Sequence, residues 1–173
     1  MWITLLGMTT SLVSGALIDP IAAIGPTFAS APRTCTVLQA AYTAAIKYNA
    51  AAYPTDVRAA WHIMDVTRFT REYRSEIGLT PSEFKAVSGR QNSYHDLGFK
   101  PNCPWKGIPG PAKDEEGHST HVTFSSPVFS DDHHLAVIET SFLEEGTFGY
   151  GFICVARLVN GTWSARCASS WIT

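Results

Sequence analysis

An Asn-Gly pair near the C-terminus constrains this chain more than any other local feature. Asn160-Gly161 separates two extended runs, 147–159 and 162–172. Both residues accept the positive φ angles of a type I′ turn, so the pair predicts a two-residue β-hairpin. Counting outward from that turn places Cys154 opposite Cys167, at a pair without ladder hydrogen bonds, where side chains approach closely. The turn therefore predicts a disulfide between these two strands.

The two remaining cysteines, Cys35 and Cys103, are then predicted to bond to each other. The chain has four cysteines, and an even number in an exported chain indicates disulfides. A zinc site or a cysteine nucleophile is the less favoured alternative, because there is no Cys-x-x-Cys motif and every cysteine has a predicted partner. The cysteines thus indicate an oxidising compartment, either secreted or periplasmic.

Residues 1–31 differ in composition from the rest of the chain. They contain no Lys or Arg and a single acid, Asp19, and they end in the small-x-small pattern Ala29-Ser30-Ala31. This segment is predicted to be a secretory signal peptide, although the basic region that usually opens such signals is missing. A membrane anchor is the weaker alternative, because Thr and Ser interrupt the apolar run. Residues 32–173 are then one mature domain, and no stable membrane anchor is expected.

Composition limits the classes of function. The 173 residues are 45% hydrophobic and 16% charged, which is typical of a folded domain and not of a disordered tail. The 13 Lys and Arg against 15 Asp and Glu give a net charge of −2, so nucleic acid is not an expected partner. The expected partner is a small molecule or a protein of unknown identity, and no cofactor is predicted.

Two helices and one strand are predicted before residue 90. The capping box Thr36-x-x-Gln39 and apolar residues at helical spacing predict a helix over 36–50. Thr80-Pro81-Ser82-Glu83 combines a cap, a first-turn proline and an N3 glutamate, which predicts a short helix running toward Gly89. Residues 61–69, rich in β-branched and aromatic types, predict a strand. Prolines and glycines over 90–119 indicate a long loop.

The C-terminal half is dominated by extended runs. Turn signals separate runs at 121–129, 135–143, 147–159 and 162–172, which predicts a four-stranded antiparallel meander. One face of the last hairpin is apolar and has to be covered, and the 36–50 helix is the expected cover. The predicted fold class is α+β, with the N-terminal helix and a short second helix on one side of a curved antiparallel sheet.

This arrangement resembles known folds. A helix followed by a curved meander with an Asn-Gly-x-Trp turn resembles the cystatin-like and nuclear-transport-factor-like folds. The C-terminal fifty or so residues also resemble small exported bacterial proteins of unknown function, on the strength of Phe124-Ser125-Ser126-Pro127-Val128-Phe129, Ala136-Val137-Ile138, Gly161-x-Trp163 and Trp171-Ile172. The resemblance implies fold and export, and it carries over no catalytic residue.

Two groups of side chains are candidate sites. Histidines near the first strand pair of the meander, His118, His121 and His133, are candidate metal ligands, with solvated turn residues as the favoured alternative. Aromatic residues on one predicted face of the last hairpin are candidates for a concave binding pocket, with core packing as the alternative. These are Tyr150, Phe152, Trp163 and Trp171. Glu139 interrupts an apolar strand and is interpreted as facing outward.

The motifs favour binding over catalysis. The sequence has no Gly-x-Ser-x-Gly elbow, no His-Glu-x-x-His helix and no phosphate-binding glycine loop. The predicted function is an exported, non-catalytic binding or accessory domain of unknown ligand. The alternative is a periplasmic or extracellular hydrolase that uses a metal ion held by His118 and His121.

Overall fold

The computed structural model describes residues 32–46, 57–60, 62–91, 99–105, 112–113, 119–144 and 148–172. Its class is α+β, as predicted. None of the helices in these ranges is long and apolar enough to cross a membrane. In chain order the elements are α1 (Pro32–Ala45), β1 (Val57–Ala59), a 3₁₀ helix (Val66–Arg68), α2 (Arg71–Glu76), α3 (Pro81–Ser88), β2 (Ala112–Lys113), β3 (Ser119–Phe124), β4 (Val128–Phe129), β5 (Leu135–Glu144), β6 (Gly149–Val159) and β7 (Thr162–Ile172).

The strands form one mixed sheet. Its order is β1-β3-β5-β6-β7, with β2 paired to β3 and β4 paired to β5. The β1–β3 pair is parallel, and the other pairs are antiparallel. Both β3 and β4 pair with β5, so the predicted 121–129 strand is divided in two. The division follows from Ser125, whose hydroxyl accepts from the Glu139 N–H in place of a backbone carbonyl, at 2.9 Å.

The last hairpin has the predicted register and the predicted disulfide. Asn160 and Gly161 take φ angles of 51° and 77°, as a type I′ turn requires. Cys154 lies opposite Cys167, with Cα atoms 4.0 Å apart. The second predicted disulfide is also present, and it ties Cys35 of α1 to Cys103, with Cα atoms 5.4 Å apart. Both predicted cysteine pairings are therefore confirmed.

A bulge near the end of β7 breaks this register. Phe152 lies opposite Ser169, but the preceding Gly151 lies opposite Trp171, which leaves Ser170 as an extra residue. One extra residue turns every following side chain to the other face of the sheet. Trp171 therefore does not share a face with Tyr150, Phe152 and Trp163, and that part of the sequence prediction is wrong.

Helix α1 covers one face of the sheet and begins earlier than predicted. It begins at Pro32, because proline suits the first helical position. Thr36 lies inside the helix, where its hydroxyl donates to the Arg33 carbonyl at 2.8 Å, so the predicted cap is wrong. Residues 47–50 of the predicted helix lie outside the described residues. The buried side of α1 packs on the sheet through Val37, Leu38, Ala41 and Tyr42.

The second face of the sheet is also covered, whereas helices on a single side were predicted. Strand alternation puts Glu139, Val155 and Arg157 on the face opposite Cys154 and α1. Residues 62–91 cover this face with buried apolar side chains, Met64, Val66, Ile77, Leu79 and Val87. The sheet therefore lies between two helical layers.

Within that second layer, one predicted element is confirmed and one is wrong. Helix α3 begins with the predicted capping box, in which the Thr80 and Glu83 side chains each bond the other's backbone, and it ends at Ser88, with Gly89 as its C-cap. The strand predicted over 61–69 is not formed by the described residues 62–69. Asp65 instead caps the 3₁₀ helix by accepting from Thr67 N–H at 3.0 Å.

An ion pair joins this layer to β6. Arg157 donates to both carboxylate oxygens of Glu83, at 2.7 and 2.9 Å, and to the Gly78 carbonyl at 2.6 Å. The hydrogen bonds from Arg157 lower the pKa of Glu83 to about 2, against a burial effect that acts in the opposite direction. A bidentate pair of this kind is stronger than a single surface contact.

Glu83→Gln is expected to destabilise the protein by about 1 to 2 kcal/mol at pH 7 and by less in acid. Because the folded-state pKa of about 2 lies below the ordinary value of 4.5, the contribution is complete above about pH 5 and is lost as the pH falls through 2. Urea denaturation of both proteins at pH 7 and pH 3 measures the difference. The exposed Glu72→Gln is the control, and an equal loss at both pH values for Glu83→Gln would contradict the assignment.

Candidate functional site

Two of the predicted metal ligands, His121 and His133, lie far apart. His118 lies outside the described residues. His121 lies opposite Leu143, near one end of β5, whereas His133 lies just before Leu135, at the other end. The strand between Leu135 and Leu143 is about 25 Å long. A metal site that contains both His121 and His133 is therefore wrong, and no group of metal-binding side chains occurs among the described residues.

His133 instead accepts a hydrogen bond from an arginine of α1. Its Nδ1 atom lies 2.7 Å from Nη1 of Arg33. A guanidinium only donates, so Nδ1 accepts and this ring nitrogen carries no proton. Burial, followed by the nearby charge of Arg33, lowers the pKa of His133. His133 thus positions Arg33 in the first turn of α1 without neutralising its charge.

Two of the predicted aromatic residues pack beside α1. Tyr150 stacks on Phe142, with ring centroids 5.1 Å apart, and meets Phe152 edge-on at 5.7 Å. Phe142 in turn contacts Tyr42 of α1 at 6.0 Å. Tyr150 therefore takes part in core packing, the alternative considered for it from the sequence.

A groove of about 1300 Å³ lies between α1 and β7. Phe152 and Trp163, two of the predicted binding residues, line it. One wall is a single side of α1, where lining residues recur at helical spacing. The other wall is β7, whose Ala165 and Cys167 face the helix. The α1 wall consists of Pro32, Arg33, Thr36, Gln39, Ala40, Thr43, Ala44 and Ala45.

Contacts with buried side chains hold the Trp163 ring in place in the groove. Its ring meets the buried ring of Phe129 edge-on at 6.2 Å, and Phe129 contacts the ring of His133 at 5.8 Å. His133 in turn bonds Arg33. One continuous set of contacts therefore positions both the indole and the guanidinium at this end of the groove.

Arginines supply the charge of the groove. Arg33 and Arg166 are the charged residues of its lining, and the lining contains no Asp or Glu. Within the described ranges neither guanidinium forms an ion pair with a carboxylate. The groove thus combines apolar surface with two arginines, of which Arg33 lies on the α1 side and Arg166 projects from the other face of β7.

Glu139 is buried, and its interpretation as outward-facing is wrong. It is 5% exposed and lies beneath residues 62–91. Its Oε2 lies 2.9 Å from Nε2 of His62, and its Oε1 accepts from Ser141 Oγ at 3.1 Å and from Trp171 Nε1 at 2.8 Å. A carboxylate only accepts, so His62 donates through Nε2. Three donors therefore surround one carboxylate, two of them, His62 and Trp171, from distant parts of the chain.

Trp171 reaches Glu139 by lying across β6. The indole rests on Gly149 and Gly151, and a Cβ at Gly151 would collide with it. The bulge at Ser170 turns the tryptophan to this face, and the glycines leave room for its ring. Trp171 was predicted as a pocket residue. It instead helps to join the sheet to residues 62–91 through its bond to Glu139.

The pairing of His62 with Glu139 serves structure better than acid–base catalysis. The imidazole is partly exposed, with 32% of the side chain accessible. However, Nε2 is bound to Glu139, and Nδ1 is buried. Neither nitrogen faces solvent, where a substrate would exchange a proton with it. The cluster joins residues 62–91 to the sheet.

Several groove and cluster residues were missed from the sequence. Arg33 precedes the predicted start of the helix, and no sequence pattern gave Arg166 a role. His62 lies in the segment predicted as a strand. No short motif marks any of the three, because their partners are distant in sequence. Comparison of the chain with protein-family models, curated proteins and solved structures finds no match.

Proposed function

We propose that this chain is an exported, non-catalytic binding domain whose ligand lies in the groove between α1 and β7. The single observation that carries the proposal is the groove itself, with Phe152 and Trp163 beside two arginines that lack carboxylate partners among the described residues. Its volume of about 1300 Å³ is above the range of about 300–1,000 Å³ that is usual for small-molecule pockets. A large or extended ligand with negative charge fits this groove best.

Export is part of the same proposal. Two disulfides in the domain favour an oxidising compartment, secreted or periplasmic. Export is also supported by the signal-like composition of residues 1–31 and by the resemblance to small exported bacterial proteins. We expect protein recovered from outside the cytoplasm to have the intact mass of a chain that begins at Pro32. A mass that includes residues 1–31 would contradict the predicted cleavage.

A dye with apolar rings and a negative charge tests the groove. We expect the oxidised protein to bind 8-anilinonaphthalene-1-sulfonate at one site, because its rings suit Trp163 and its sulfonate suits Arg33, which lies at the same end of the groove. Arg33→Gln and Trp163→Ala should each weaken binding about tenfold in a fluorescence titration. Arg68→Gln, at an exposed arginine outside the groove, is the control. Dye binding that these groove substitutions leave unchanged would refute the assignment of the site.

A further inference from the structure

We propose that the ligand is an acidic peptide that binds in extended conformation by adding a strand to β7. This inference rests on the proposed function, because it places the peptide in the same groove. In the described part of the chain β7 pairs only with β6, so it forms one edge of the sheet. A free edge beside a helix is a common site of strand addition, in which backbone hydrogen bonds supply affinity.

The hairpin register identifies the backbone groups that face the groove. In a two-residue hairpin the pair next to the turn, here Val159 and Thr162, is hydrogen-bonded, and the pairs alternate from there. Trp163, Ala165 and Cys167 therefore direct their N–H and C=O groups away from β6. Their side chains also line the groove. An added strand would meet three donors and three acceptors along about 14 Å of β7.

This stretch of β7 has few of the features that usually protect an edge, and Arg166 is its one charged side chain. Residues 162–168 contain no proline and no lysine, and their pairing with β6 is regular. Protection begins only afterwards, at the bulge and at Ser169, whose carbonyl accepts from the Tyr73 hydroxyl at 3.2 Å. The open edge is therefore confined to 162–168.

Charge favours an acidic peptide over other occupants. Side chains of an added strand alternate between the α1 side and the opposite side. Arg33 stands on the α1 side, and Arg166 projects from the other face of β7. Acidic side chains on either side of the peptide would thus meet a guanidinium. A second copy of this chain is a poorer occupant, because its β7, residues 162–172, contains no Asp or Glu to pair with these arginines.

Fluorescence anisotropy with a defined peptide tests strand addition. The probe is a capped, fluorescein-labelled octapeptide of alternating glutamate and valine, titrated with oxidised protein. Two further probes carry N-methyl groups on every glutamate or on every valine, so that each blocks one edge of the extended peptide. We expect one methylated peptide to bind at least about tenfold more weakly and the other to bind like the parent. Replacing glutamate with lysine should abolish binding.

Protein variants test the same contacts from the other side. Ala165→Pro removes one outward N–H at an edge position, where proline is tolerated, and should weaken peptide binding about tenfold. The double variant Arg33→Gln/Arg166→Gln should also weaken peptide binding about tenfold. Arg68→Gln is the control and should leave binding unchanged. The methylated peptides are tested on the unsubstituted protein, so they still test strand addition if Ala165→Pro fails to fold.

The outcomes separate this inference from the proposed function. Strand addition is refuted if the acidic peptide does not bind, or if both methylated peptides bind like the parent. If the dye still binds in the groove, the groove remains a ligand site. If the dye does not bind, the proposed function itself fails. A dimer in sedimentation that Ala165→Pro dissociates would make a second copy the occupant and overturn the acidic peptide.

Discussion

Replacing Cys35 and Cys103 together with alanine is expected to lower the free energy of unfolding by about 4 kcal/mol. These cysteines are 68 residues apart in sequence, so their bond removes much of the freedom of the unfolded chain. The Cys154–Cys167 bond spans only 13 residues and should contribute about 3 kcal/mol. Urea denaturation of the two double variants under non-reducing conditions measures both losses.

The Cys35/Cys103 variant is expected to lose more stability than the Cys154/Cys167 variant, and this order is the more stringent test. The Cys35–Cys103 bond also holds the segment in which Trp105 stacks on Phe124, with centroids 5.4 Å apart. Its removal therefore frees a packed aromatic ring as well as a long loop. A larger loss for the hairpin variant than for the Cys35/Cys103 variant would contradict this account.

Glu139→Leu is expected to cost about 3 to 4 kcal/mol of stability. Leucine has a similar size but accepts no hydrogen bond, so the donors on His62, Ser141 and Trp171 would lose their acceptor. Glu139→Gln keeps one acceptor oxygen and should cost about 1 kcal/mol. Urea denaturation at pH 7 compares the two variants.

Ser141→Ala is the matched control for the Glu139 substitutions. It removes one of the three donors and leaves the carboxylate bound to His62 and Trp171, so about 1 kcal/mol is expected. If Glu139→Leu proved as stable as the natural protein, the buried carboxylate would have no role in joining residues 62–91 to the sheet.

The features that could be predicted from sequence are those set by neighbouring residues. The hairpin follows from Asn160-Gly161, because few other residue pairs accept two positive φ angles. The start of α3 follows from the spacing of Thr80, Pro81 and Glu83, whose contacts span one helical turn. From the hairpin register the disulfide between Cys154 and Cys167 could be counted directly.

The features that could not be predicted depend on distant partners. Glu139 looked like an outward position because its strand alternates, and nothing nearby in sequence indicates that His62 and Trp171 bind it. The bulge at Ser170 has no local marker, so Trp171 was placed on the wrong face. A second helical layer was missed because residues 62–91 form only short helices, which have weak periodicity.

The candidate groove was predicted in part. Strand alternation identified Phe152 and Trp163, since their face follows from the hairpin register. Arg33 was not identified, because its place in the groove depends on α1 starting at Pro32 and on the bond to His133. Aromatic residues could thus be assigned to a face, whereas the charge of the groove required the tertiary structure.

The two sides of the sheet depend on different properties of the surrounding medium. Two covalent bonds that are sensitive to reduction lie on the side of α1, namely Cys35–Cys103 and, within the hairpin, Cys154–Cys167. On the other side, the bond from Arg157 to Glu83 depends on an ionised carboxylate. A reductant would loosen the first side and leave the ion pair intact, while strong acid would do the reverse. Oxidising surroundings near neutral pH hold both sides at full strength.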